Sequence, residues 1–541
     1  MRSVLIVGSG ASGVHFALSL LKKGYHVIML DVGFQKPASV NPSDQWSSFK
    51  ENLKDPVGYF LGKNFESVVF PGAGGEYYTK YYGFPPSKSH VFSQPESFHF
   101  SADGFVPLMS FAQGGLAEAW TGGAYPYNDD DLKEYPYKYS DIEPFYTEVA
   151  KRIGLIGVAD DMSRFFPLHG NLLPPLQLDL NSQYLVQDYE KQKQAINRTI
   201  GGYLGRSRVT TQSIDTDLRK GCWYCGRCLW GCPTESLYTP SITLRECKQY
   251  PNFDYQPAML VKHFRFNSDK RLTSIIAESI HDHTLCEFSA DRYALAAGTL
   301  SSAKIFMDSI YRETGKIIKL TGLMDNRQIL VPFFNLKMVG KPYNPNSYQY
   351  HQLAIGLISN NRPEEYIHGQ ITTLKTALVH PVIQNLPMGI QTGSFFFRNT
   401  RSGLGVVNLN LWDRRRDSNY VTLKPDPQTT WTKLEISYSP APEEIKIIDN
   451  AIKRSKKLLW KLSCIVPPGM IHIRPMGSSV HYSGILPMSG ERKPYHTDRN
   501  CRSHDFENLY IIDGSTVPFL PAKNITFTLM ANAVRIAESA F

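Results

Sequence analysis

The chain has no run of about 18 consecutive apolar residues, so no membrane-spanning helix is expected. It has no internal repeat and no low-complexity linker, so neither a repeat array nor a disordered tether is expected. It also lacks a leader-type opening. Met1-Arg2-Ser3 passes straight into Val4-Leu5-Ile6-Val7, too short for a signal-peptide core, and a cytoplasmic protein is expected. Nucleic-acid motifs are missing too. The basic run Arg414-Arg415-Arg416, flanked by Asp413 and Asp417, reads as a solvated turn. What is present is an ordinary globular composition, 42% hydrophobic and 20% charged, over 541 residues. That length suits two joined domains better than one core. The net charge of +9 and pI near 8.9 permit an acidic substrate or a weak affinity for anionic surfaces, and demand neither.

The first motif follows the apolar run at once. Gly8-Ser9-Gly10-Ala11-Ser12-Gly13 lies between the Val4–Val7 strand and a helical stretch through Val14, Phe16, Ala17, Leu18, Leu20 and Leu21. A second strand, residues 26–30, ends at Asp31. Gly8 permits a tight turn, Gly10 lets a pyrophosphate approach the backbone, and Gly13 lets helix and strand pack closely. The helix start, Ala11 and Ser12 included, offers free N–H groups to phosphates. Asp31 can accept from ribose hydroxyls. A bare glycine motif arises by chance in roughly 0.2 of chains this glycine-rich, but strand, helix, strand and acid in this order identify a dinucleotide site.

Further segments carry a resemblance. Phe111-Ala112-Gln113-Gly114-Gly115-Leu116 through Trp120-Thr121-Gly122-Gly123 is similar to the second flavin-contacting glycine loop of the GMC (glucose–methanol–choline) oxidoreductases. Ala296-Ala297-Gly298-Thr299-Leu300-Ser301-Ser302 resembles that family's second signature. His481-Tyr482-Ser483-Gly484 resembles its His-x-x-Gly segment, and 509–515 with Pro518 its last FAD strand. The cysteine-rich turn described below narrows the likeness to a bacterial, cholesterol-oxidase-like subset. The resemblance implies FAD as cofactor. By position it implies contacts from Gly8, Gly10, Ala11, Ser12, Gly13, Asp31, Gly114, Gly115, Val261, Ala297, Gly298, Asp513, Gly514, Asn524 and Ile525. Two positions depart from the family: Ile485 stands where Thr is usual, and Asp31 where Glu is more frequent. With no histidine between Gly114 and Gly123, FAD is expected without a covalent link.

The resemblance also implies an activity: oxidation of an alcohol, sugar-like, sterol-like or another secondary alcohol, by hydride transfer to flavin N5. His481 is the implied base and Asn524 its partner on the substrate oxygen. A histidine suits the task because its pKa lies near working pH. Asn524 also reads as an N-cap of the closing helix, and the two roles are compatible. Electrons would leave to oxygen or to a redox partner. The alternative is a flavin–iron–sulfur electron-transfer protein without a small alcohol substrate.

Cys222, Cys225, Cys228 and Cys232 form C-x2-C-x2-C-x3-C-P, the spacing of a ferredoxin run. An iron–sulfur cluster, a zinc site and a structural turn of free thiols all remain open. The fold expected is α/β with an α+β substrate part. A discontinuous Rossmann-type FAD domain would comprise 1–309 and 467–541, with 33–101 as a cofactor-covering excursion and the cysteine turn at 222–233. A substrate domain over 310–466 would hold an antiparallel sheet including 405–411 and 433–438, and an amphipathic helix between Pro442 and Leu462.

Overall fold

Apolar segments far apart in sequence meet in one parallel sheet. The computed structural model describes residues 2–35, 51, 53–61, 86–216, 219–359, 362–373, 388–426 and 431–541. Most of the 33–101 excursion lies outside these. The sheet has five strands in the order Leu509–Ile511, Arg292–Leu295, Ser3–Val7, His26–Leu30 and Phe253–Gln256. Every pairing is parallel. Parallel strands need covered crossovers, which explains why Val4, Leu5 and Ile6 are fully buried and apolar on both faces. The helices Ala11–Lys22 and Thr526–Ala540 pack together on one face.

Glycine is required where the first strand meets its helix. Gly8 has φ +101°, and a Cβ on Gly13 would lie 2.1 Å from the Gly8 carbonyl oxygen. Any side chain at 13 would push the helix off the sheet.

A second sheet has seven antiparallel strands. Its path runs Cys464–Ile465, Gln328–Asn335, Leu404–Asn410, Ile367–Thr373, Leu353–Leu357 and Gly202–Arg206, with His472–Ile473 also paired to Gln328–Asn335. Its side chains alternate strictly. Ile329, Val331, Val407, Leu409 and Ile371 bury one face against the helices Leu180–Ile200 and Glu444–Lys461. Gln328, Asn408, Asn410, Gln370 and His368 occupy the opposite face, in register across three strands.

Residues 310–466 do not form a single sheet. Gly202–Arg206, outside that range, supplies an edge strand. Thr432–Ser437 leaves for a four-stranded sheet with Lys319–Thr321, Tyr420–Pro425 and Phe100–Asp103. Its apolar residues Leu320, Val421, Leu434 and Ile436 share a core with the parallel sheet. The alternation in 433–438 identified a strand but not its partners, Tyr420–Pro425 just before it and Phe100–Asp103 more than three hundred residues earlier.

The Arg414–Arg416 run is a half-buried anchor rather than a fully solvated turn. Arg415 donates to the carbonyls of Gly484 (2.8 Å) and Thr321 (3.2 Å), and Arg416 to Asp413 and the Tyr438 hydroxyl. Apart from Asp413, three residues before Arg416, these partners are distant in sequence.

Beside the start of the last helix, Lys523 pairs with Asp131, their side chains 0% and 1% exposed. The ammonium also donates to the Phe165 and Pro126 carbonyls. Lys523→Met is expected to cost about 3–5 kcal/mol, because Asp131 is left charged and unpaired in the core. Chemical denaturation measures this; a loss below about 1 kcal/mol contradicts it.

Candidate active site

A cavity of about 400 Å³ lies between the parallel sheet and the polar face of the seven-stranded sheet. Gly8, Gly10, Ala11, Ser12, Asp31, Gly115, Val261, Ala297, Gly298, Asp513, Gly514, Ile525, His481 and Asn524 all line it. Gly13 and Gly114 stand behind the lining, Gly13 under the helix and Gly114 bonded to Ser9.

At one end the helix Ala11–Lys22 opens with Gly10, has no side-chain cap and no acid in its first turn. Its N–H groups and positive dipole end face an anion site. A Cβ on Gly10 would have nothing within 4 Å, so this glycine leaves room rather than permitting a turn. Gly115, φ +66°, brings the second glycine loop so close that its Cβ would lie 3.2 Å from the Gly10 Cα.

Asp31 sits at the end of the second strand, 8% exposed. Its Oδ2 accepts from the Ser9 hydroxyl and from Tyr255 at 3.0 Å. Burial pushes its pKa up to about 6, although these hydroxyls pull the other way. Ser9 accepts in turn from the Gly114 amide at 2.9 Å, tying the acid to the second glycine loop. Only the variable position of the glycine motif could have pointed to Ser9. The strand Met259–Phe266, carrying Val261, starts with Met259 donating to the Asp31 carbonyl at 2.9 Å.

Asp513 accepts from the Gly298 amide (3.0 Å), the Ser302 hydroxyl (2.5 Å) and the Ser515 amide (3.0 Å). Its carboxylate holds the Ala297–Gly298 turn against the cavity. An open helix start, a gap-leaving glycine and a carboxylate at the second strand fit the pyrophosphate and ribose of a dinucleotide.

At the other end His481, 6% exposed, stands between two asparagines. Its Nδ1 lies 2.8 Å from the Asn326 Oδ1. The Asn326 amide nitrogen already donates to the Leu411 (2.7 Å) and Pro521 (3.0 Å) carbonyls, so its oxygen must face the ring. Nδ1 therefore carries the proton and Nε2 the lone pair. The Asn524 Nδ2 lies 3.3 Å from Nε2, and the Gln370 amide donates to the Asn524 Oδ1 at 2.6 Å. Burial lowers the His481 pKa to about 4, keeping the ring neutral.

Asn524 does not cap the last helix. That helix begins at Thr526 with Ile525 as its cap residue and no side-chain cap, leaving the Asn524 amide to the histidine. Asn326 and Gln370 carried no sequence signal, since both lie in the motif-free stretch; Gln370 reaches the site through sheet pairing, and Asn326 from the loop before Gln328–Asn335, held by the Leu411 and Pro521 carbonyls.

The cysteine run forms a turn packed against Trp230, Leu237, Tyr348 and Tyr350. Its four thiols are free. Burial pushes Cys222 up to about 12 and raises Cys225 and Cys228. Among the described residues no group of three or more His, Cys, Asp or Glu is placed to hold a metal ion. Metal ligation by Cys222, Cys225, Cys228 and Cys232, which the spacing leaves open, has no such group behind it among the described residues. Among the described residues no helix is long and apolar enough to cross a membrane.

Comparison with known proteins agrees with this geometry. Residues 415–533 match the family model described as GMC oxidoreductase. Paromamine 6'-oxidase of Streptomyces fradiae is 21% identical over 99% of this chain and 90% of its own length. The fructose dehydrogenase large subunit of Gluconobacter japonicus is 23% identical over 99% and 97%. The crystal structure of pyridoxine 4-oxidase from Mesorbium loti superposes with a TM-score of 0.61 at 14% identity, covering 99% of both chains. With its dinucleotide cradle, its buried histidine–asparagine pair and these likenesses along its length, the chain is a GMC-like, FAD-dependent oxidoreductase.

Proposed function

We propose that the chain oxidises a CH–OH group of a polar alcohol, with His481 as the base. The observation carrying this reading is the tautomer of His481. Asn326 fixes the proton on Nδ1 and leaves the Nε2 lone pair beside Asn524, at the cavity. FAD, held by the glycine cradle and Asp31, supplies the hydride acceptor when bound. Nε2 takes the hydroxyl proton as the C–H bond breaks. The Asn524 amide N–H donates to the same oxygen and holds the carbinol in place. Gln370, through the Asn524 Oδ1, keeps that N–H turned toward the histidine. The names of the relatives, a paromamine 6'-oxidase and a fructose dehydrogenase large subunit, support an alcohol on a sugar-like ring.

Anaerobic mixing with an alcohol panel tests the reading. A reactive alcohol is expected to bleach the oxidised flavin bands; if dithionite bleaches them and no alcohol does, the reading falls. The pH profile follows from burial. A histidine with its pKa lowered to about 4 is neutral, and so active as a base, at every pH above that. The value of kcat/KM is expected to stay level through pH 6.5 and fall only as pH approaches about 4, tenfold per unit below it. A break near 6.5 would mean that His481 titrates as an ordinary exposed histidine.

A further inference from the structure

We infer that Asn408 is a specificity-determining residue that binds a second hydroxyl of the substrate, so the site selects a ring bearing several hydroxyl groups over a mono-alcohol. The inference rests on the oxidation reading above for which bond reacts, and on the sheet for what else is bound.

The wall facing His481 and Asn524 is built from carboxamides. Gln328, Gln370 and Asn408 line the cavity together with Arg474. Asn408 stands directly opposite Gln370 in the strand pairing, on the same sheet face. Its neighbours are already engaged. The Gln328 Oε1 accepts from Arg474 at 2.7 Å, its Nε2 donates to the Asn410 Oδ1 at 3.0 Å, and Gln370 is bonded to Asn524. Asn408 differs. Its Oδ1 is shielded from solvent with no hydrogen-bond partner.

An orphaned amide oxygen in a cavity wall is relieved by any donor that reaches it. The terminal torsion of an asparagine is broad, so the amide can turn its oxygen into the cavity. An apolar ring, such as a sterol's, would dehydrate these amides and return no hydrogen bond. A ring with hydroxyls on neighbouring carbons offers one to the His481–Asn524 pair and another to Asn408. A site built to bond a hydroxyl rejects analogues lacking it far more strongly than an apolar pocket rejects an added one.

The test uses the FAD-loaded protein with a panel of methyl pyranosides and cyclitols set against cyclohexanol. Wild type is expected to prefer the best polyol over cyclohexanol by at least 100-fold in kcat/KM. Asn408→Leu is expected to shrink that ratio at least tenfold, mainly through KM, and Asn408→Asp, which keeps the oxygen, to shrink it less. In parallel, the preferred polyol should raise the melting temperature of wild type and of His481→Ala, but not of Asn408→Leu. Flavin content confirms that each variant is folded, and the Asp variant carries the comparison if the Leu variant is not. An unchanged ratio, a preference for cyclohexanol, or no response to any polyol overturns the inference. Polyol binding that depends on Asn408 without flavin bleaching leaves it standing and removes the oxidation reading. Oxidation indifferent to Asn408 does the reverse.

Discussion

His481→Ala is expected to lower the rate of anaerobic flavin reduction by alcohol by about 10²- to 10⁴-fold while the protein still holds FAD. The two effects separate because the histidine touches Asn326 and Asn524, at the end of the cavity away from the glycine cradle. Removing the ring leaves the Asn326 Oδ1 buried without its donor, which costs about 1–3 kcal/mol of stability. A slightly lower melting temperature with an intact flavin spectrum should therefore accompany the lost rate. Stopped-flow bleaching with saturating alcohol gives the rate directly. A variant that reduces its flavin as fast as wild type would remove His481 from the chemistry.

The second large effect concerns the cofactor. Gly10→Val is expected to give folded protein that purifies without FAD, its affinity weakened on the order of 100-fold or more, about 2.7 kcal/mol. Gly10 has φ −63° and open space where a side chain would go, so valine meets no backbone clash and only fills the anion site. Gly13→Val makes the contrast. Its Cβ would collide with the Gly8 carbonyl, so insoluble or unfolded protein is expected. Circular dichroism and visible absorbance of the two variants distinguish them. Full flavin occupancy in Gly10→Val would show that the pyrophosphate lies elsewhere.

The parts legible in the sequence are those made by local chemistry. The run from Val4 to Asp31 spells strand, turn, helix and strand because each glycine answers a steric demand a few residues away. The helix Glu444–Lys461 was visible from its apolar spacing, and His481 and Asn524 from their segments' likeness to a family. Illegible parts depend on distant partners. Gln370 is an ordinary amide until sheet pairing brings it to Asn524, and Asn326 until the Leu411 and Pro521 carbonyls hold its loop against the histidine. Arg414–Arg416 looks solvated until the Gly484 carbonyl and the Tyr438 hydroxyl are seen beside it. The cysteine spacing is as regular as any motif in the chain, yet spacing alone does not show where the sulfurs point. In the structure they line a turn packed on Tyr348 and Tyr350.

The order of the parallel sheet has a consequence for synthesis. Ser3–Val7 lies between His26–Leu30, made at once, and Arg292–Leu295, made nearly three hundred residues later. Leu509–Ile511 adds the outer edge, and Thr526–Ala540 covers the helix that follows the first strand. While the ribosome is still translating the middle of the chain, the oily side of Ala11–Lys22 lacks its helical partner Thr526–Ala540. Such non-local closure is slow and prone to aggregation, which makes the nascent chain a natural client for chaperones. The cavity takes shape only once Asp513 and Asn524 join the glycine motif made some five hundred residues earlier, so cofactor capture waits for late-made segments.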